Sequence, residues 1–170
     1  MNHIVIIGFM GSGKTRVGKR LASDLDLPFV DVDRIIAKKM NSSVKEIFQR
    51  FGEPYFRAME TMVVKGLIED KERKVVSLGS GLPIQAQNQK YIKELGTVIY
   101  LKGSAETFKK RLEGNSNPLL EGDNREEKIK KLLKQRDPIY HQFADIEVMT
   151  GVKPFESLIQ EIEEKLREAK

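Results

Sequence analysis

The chain has no cysteine and only two histidines among its 170 residues. The first absence excludes a disulfide framework and any thiolate zinc site, and the second argues against a histidine-rich metal centre. Long apolar runs are missing too. The N-terminal stretch MNHIVIIGFMGSGKT has an apolar run only from Ile4 to Ile7 before it breaks into a glycine loop, too short for a signal-peptide core or a membrane span. A cytoplasmic protein with no membrane partner is expected. Internal repeats, low-complexity tracts and Pro/Gly-rich linkers are also absent, so residues 1–170 are expected to form one domain. The charge excess is modest: 30 basic against 25 acidic residues give a net +5, which suits phosphorylated ligands. No nucleic-acid-binding motif accompanies it, and the basic segment KIKKLLKQR at 128–136, interrupted by Ile129, Leu132 and Leu133, fits an amphipathic helix with one solvated face.

What is present is an alternation. Strand-length apolar runs occur at 4–7, 29–33, 75–79, 97–101 and 145–149. Between them lie helical spacings: Val17, Leu21 and Leu25; Ile47, Phe48 and Phe51; Met59, Val63 and Leu67. A closing amphipathic helix is marked by Phe155, Leu158, Ile159, Ile162 and Leu166, with Pro154 at its start. Strands alternating with helices predict an α/β fold whose parallel sheet is covered on both faces.

The strongest local signal is Gly8-Phe9-Met10-Gly11-Ser12-Gly13-Lys14-Thr15, a full G-x-x-x-x-G-K-[ST] match between a strand and a helix. Such a loop exposes consecutive N–H groups that converge with the helix N-terminus on phosphate oxygens. Lys14 would reach the β- and γ-phosphates and the Thr15 hydroxyl would ligate Mg²⁺. Asp31 and Asp33, two apart at the end of the second strand, would project to the same side, one to hold Mg²⁺ and one to accept a hydroxyl proton. Either could instead cap the helix beginning near Arg34. Arg57 and Glu60 share a helix face, where Glu60 could hold a guanidinium fork aimed at a carboxylate or simply form a surface ion pair. The small residues Gly79, Ser80 and Gly81 allow a ligand close to the backbone, and Arg136 lies at a helix end before a helix-stopping Pro138.

In order along the chain, GFMGSGKT, DVD, FRAME, GSG, NPLL and RDPIY resemble the motifs of shikimate kinases, a branch of the nucleoside-monophosphate-kinase-like P-loop proteins. The resemblance runs from Gly8 to about Lys153. It implies a three-layer α/β/α P-loop kinase fold with a five-stranded parallel sheet of order 2-3-1-4-5, a helical substrate-binding region at about 34–62 and a lid at about 112–124. The implied reaction is phosphorylation of the 3-hydroxyl of shikimate by ATP, toward chorismate and the aromatic amino acids, in a monomer with Mg²⁺ as cofactor and no nucleic-acid partner. Asp33, Lys14 and Arg57 would be catalytic, with Asp33 as base. Asp33, Arg57, Gly79, Ser80, Gly81 and Arg136 would bind shikimate, and Thr15 and Asp31 would serve the metal. Gly11, Ser12, Gly13, Lys14, Thr15, Arg16, Arg111, Asn117 and Lys153 would bind ATP, Arg111 against adenine.

Two positions depart from the family pattern: Ser80 replaces the middle glycine of a triplet, and Asn117 replaces the lid arginine in a segment one residue shorter. Loss of a charged contact to a transition state costs on the order of 10²–10³ in rate, unless Lys109, Lys110 or Arg125 substitutes. Two rival readings follow: a kinase of a related small hydroxy acid, and a catalytically weak nucleotide-binding regulator.

Overall fold

A computed structural model of the protein describes residues 2–115 and 117–170 and, within these, every side chain but that of Pro118. Ser116, inside the NSNPLL stretch, lies outside the described residues. The sheet is built around β1 (His3–Gly8), all six residues of which are buried. A central parallel strand has helices against both faces, so it has no solvent side on which to place polar residues. Beside it lie β3 (Val75–Ser77) and β4 (Gly96–Lys102), with β2 (Phe29–Asp31) and β5 (Ile146–Met149) at the edges. All pairings are parallel, and the strand order is 2-3-1-4-5, as expected.

Period-two alternation divides the core. Ile4, Ile6, Val75, Ile99 and Leu101 point to one face, where α1 (Lys14–Asp24) and α8 (Phe155–Glu168) cover them with Val17, Leu21, Leu158 and Ile162. Val5, Ile7, Val76, Val98 and Tyr100 point to the other face. There α4 (Glu53–Glu69), α5 (Ala86–Leu95), α6 (Ala105–Arg111) and α7 (Arg125–Phe143) supply Val64, Ile92, Phe108 and Ile129. A fully buried side chain of this size contributes about 1.5–3 kcal/mol, so both layers are needed. Beyond the β2 edge, α2 (Val32–Met40) and α3 (Val44–Phe51) pack with α4 as a helical cap.

Four expectations need correction. The DVD segment is not strand throughout: β2 stops at Asp31, whose side chain caps α2 by accepting from Arg34 N–H at 3.3 Å, so Asp33 sits in the first helical turn. β3 ends at Ser77, two residues before the expected boundary. Pro138 lies inside α7 and does not stop it, because buried Arg136, Tyr140 and Phe143 anchor the helix on both sides of the proline. Leu25 and Phe51, counted with apolar faces, are 42% and 45% exposed, since each falls at or just past its helix end.

Candidate active site

The carboxyl end of β1 feeds the phosphate loop. Gly11 and Gly13 adopt φ of +80° and +94°, values at which any side chain would be strained, and Gly13 is the left-handed N-cap from which α1 starts. Ser12 N–H donates to the Phe9 carbonyl at 3.1 Å, closing the loop. Lys14 Nζ lies over it, donating to the carbonyls of Gly8 and Phe9 at 3.0 and 3.2 Å. Burial pushes its pKa down to about 8, opposed by the nearby carboxylates of Asp33 and Asp31.

At the end of β2 the two aspartates divide their tasks differently from the strand pattern. Asp31 uses one oxygen as the α2 cap, while the other accepts from the Thr15 hydroxyl at 3.3 Å. An all-oxygen hydroxyl–carboxylate pair at the mouth of a phosphate loop has the chemistry of a Mg²⁺ site, which takes a few protein oxygens and keeps several waters. Among the described residues no cluster of three or more His, Cys, Asp or Glu side chains that could hold a metal ion occurs. Asp33 is turned the other way. Its Oδ1 is buried with no hydrogen-bond partner, and burial, then the charge of Asp31, raises its pKa above the ordinary carboxylate range.

Asp33 opens onto a cleft of about 610 Å³ shared with Arg57, Glu60, Arg136, Gly79, Ser80 and Gly81. Arg57 donates to Glu60 Oε1 at 2.8 Å and to Glu53 at 3.2 Å. The Glu60 side chain is fully buried and its Oε2 has no partner; burial pushes its pKa up to about 7 despite the Arg57 guanidinium. The ion pair read from sequence is therefore a buried support for Arg57, of the kind costly to break. Arg136 is 9% exposed and leaves one guanidinium nitrogen unpaired. Unpartnered polar atoms of Asp33, Glu60 and Arg136 thus gather at one cleft, which fits a ligand carrying both hydroxyls and a carboxylate. Gly79 and Gly81 are what make room: a Cβ there would stand 2.7 Å from Asp33 Oδ1 and 2.6 Å from an Arg57 nitrogen.

Asn115, Asn117, Leu119 and Glu121, from the segment expected to form a lid, line the same cleft. Its Pro118–Leu120 3₁₀ turn buries Leu120, and Asn117 Nδ2 donates to Met10 Sδ of the phosphate loop at 3.5 Å. Of the nearby cations, Lys109 pairs with Glu126 at 2.8 Å, and Arg125 donates to the Leu112 and Asn115 carbonyls at 2.7 Å. Arg111 reaches the Gly11 and Ser12 carbonyls at 3.1 and 3.3 Å and Thr150 Oγ1 at 3.1 Å. Arg16 stacks over the Phe155 ring at 3.9 Å, and Lys153 pairs with Glu161, so both lie beside α8. Sequence reasoning missed the residues that brace the 79–82 backbone: Tyr140, Gln85 and Asn88. Only Tyr140 left a trace, standing four residues after Arg136 on one helix face.

The strand order, with a phosphate loop at the end of the central strand and an acid-lined cleft next to it, defines a small-molecule kinase of the P-loop class. The family profile described as Shikimate kinase matches residues 10–167. The shikimate kinase of Thermodesulfovibrio yellowstonii is 41% identical over 96% of each chain, and that of Persephonella marina 41% identical over 98% of this chain and 100% of its own. Among solved structures, shikimate kinase from Acinetobacter baumannii in complex with shikimate superposes with a TM-score of 0.91 at 35% identity, covering 100% of this chain and 95% of that one. The chain belongs to the shikimate kinase family.

Proposed function

We propose that the protein transfers the γ-phosphoryl group of ATP to the 3-hydroxyl of shikimate, giving shikimate 3-phosphate and ADP for aromatic amino acid biosynthesis. The observation that carries the reading is the gathering of Asp33, Glu60 and Arg136 polar atoms, buried and unpartnered, at one cleft beside the phosphate loop. Arg57 and Arg136 bind the carboxylate, Arg57 held in place by Glu60. Asp33 faces the acceptor hydroxyl, and its raised pKa makes it a stronger base than an exposed aspartate. It takes the hydroxyl proton as the oxygen attacks the γ-phosphorus in line and the bond to the bridging oxygen of ADP breaks. Lys14 and the backbone of Gly11, Ser12 and Gly13 hold the phosphates, while Arg16, Arg111, Asn117 and Lys153 surround the nucleotide. Thr15 and Asp31 would hold Mg²⁺, which would supply neutralisation of phosphate charge when bound. Little else is required of the protein, because phosphoryl transfer depends mainly on alignment and electrostatic stabilisation.

Residues 1–170 act as one kinase domain in this reading, a monomer in the cytoplasm whose partners are ATP and shikimate, with no nucleic acid. Among the described residues no helix is long and apolar enough to cross a membrane. A coupled assay of ADP release with a panel of small hydroxy acids tests the substrate. Stimulation by shikimate above the other acids supports the assignment. Stimulation by a different acid alone transfers it to that acid, a possibility to which the Ser80 side chain at the cleft gives a physical basis. Calorimetry separates both from a regulator, which would bind ATP and give no heat with any acid.

A further inference from the structure

The segment 79–82 makes an unusual set of backbone bonds. Each of its four carbonyls is held from within the protein: Gly79 by Leu82 N–H at 3.1 Å, Ser80 by the Tyr140 hydroxyl at 2.6 Å, Gly81 by Gln85 Nε2 at 3.2 Å and Leu82 by Asn88 Nδ2 at 3.1 Å. The N–H groups of Ser80 and Gly81, by contrast, donate to no protein acceptor among the described residues. Both residues line the acid cleft, whereas Tyr140 is fully buried behind them. In a planar trans peptide the C=O and the N–H point in opposite directions. A hydroxyl that draws the Ser80 carbonyl toward α7 therefore turns the Gly81 N–H of the same peptide toward the cleft.

We propose that Tyr140 is a positioning residue for the reaction: by holding the Ser80 carbonyl, its hydroxyl aims the Gly81 N–H into the cleft as a donor to the bound hydroxy acid. The inference rests on the function proposed above. Packing does not account for the hydroxyl, because the Tyr140 ring sits against the Tyr100 ring at 5.2 Å between centroids and a phenylalanine would fill the same space. A phenol buried this deeply is costly unless it is bonded, and its one hydrogen-bond acceptor is this carbonyl. Burial pushes the Tyr140 pKa up to about 12, so it remains a donor throughout the neutral range. The tyrosine also stands one turn after Arg136, which ties the direction of the backbone donor and the position of the carboxylate clamp to one helix face.

The test is Tyr140→Phe, which removes only the oxygen. The KM for shikimate should rise about tenfold with kcat and the KM for ATP within about twofold, the pattern of a lost binding contact. A lower melting temperature with an unchanged KM for shikimate would mean the hydroxyl is merely structural and overturns the inference alone. Absence of shikimate turnover by the unmodified protein overturns the proposed function and this inference together. A measurement independent of the variant's folding is the amide resonance of Gly81 in the unmodified protein. It should shift on saturation with shikimate, and an unmoved Gly81 amide in a protein that turns shikimate over contradicts the proposal.

Discussion

A methyl group placed on Gly79 would collide with Asp33, and one on Gly81 with Arg57, at the two side chains assigned to the acceptor hydroxyl and the carboxylate. Gly79→Ala or Gly81→Ala should therefore lower kcat/KM for the acid by about 10²-fold, the usual cost of displacing a reacting group by an ångström. Nucleotide affinity, read by fluorescence titration, should stay within about twofold, because the atoms nearest to the added methyl groups belong to Asp33 and Arg57. Asp33→Asn should nearly abolish turnover with ATP binding intact, and a normal rate in that variant would remove Asp33 from the role of base. Asn117 poses the opposite question. Its neutral amide can donate hydrogen bonds but cannot offset the charge on the transferring group. Two of the candidate substitutes are engaged elsewhere, Lys109 with Glu126 and Arg125 with the backbone below the lid. Asn117→Arg should accordingly raise kcat by about tenfold or more. An unchanged kcat would assign the neutralising charge to Lys110 or to Arg111, whose guanidinium already lies on the phosphate-loop carbonyls.

At the scale of elements, α7 links three parts of the candidate site: Arg125 holds the Leu112 and Asn115 carbonyls of the proposed lid, Arg136 lines the cleft, and Tyr140 braces the glycine segment. Arg125→Ala would release the Leu112 and Asn115 carbonyls together. The lid should then be cut faster by protease and the KM for ATP should rise, while an unchanged cleavage rate would show that Leu120 alone anchors it. The strands, helices and phosphate loop were legible in the sequence because their signals are local: an unbroken apolar run for β1, a fixed glycine spacing, and repeats of three and four for the helices. Asp31 and Asp33 misled because a strand end and a helix N-cap can share a residue, and period two stops applying at that residue. Pro138 misled because a helix-breaking preference of a few kcal/mol is outweighed by burial on either side and by the Tyr100 hydroxyl on Asp137 at 2.5 Å. The Tyr140 brace was invisible for a different reason: its acceptor is 60 positions away, and no local pattern encodes that pairing.

Across the whole molecule, the buried charges make both stability and binding depend on pH. Glu60 holds its proton to about pH 7 in the folded chain but would release it near the ordinary glutamate value of 4.5 when unfolded. The folded state then binds more protons in that window, so this group's contribution falls as pH rises from about 4.5 to 7, by at most about 3 kcal/mol, and is level above it. Urea unfolding should show Glu60→Gln losing that decline, whatever the substitution does to stability at a single pH. Lys14, with its pKa lowered to about 8, should regain a proton when triphosphate binds beside it. Calorimetry of ATP binding near pH 8 in buffers of different ionisation enthalpy should reveal proton uptake that Lys14→Met abolishes. The assignment of one cleft to both the acid and the transfer is tested most directly by following ³¹P resonances of the purified protein with MgATP and shikimate. ADP and shikimate 3-phosphate should appear in equal amounts in the unmodified protein, and neither at a comparable rate in Asp33→Asn. Release of ADP and inorganic phosphate with no phosphorylated acid, or none of these products, would contradict the account.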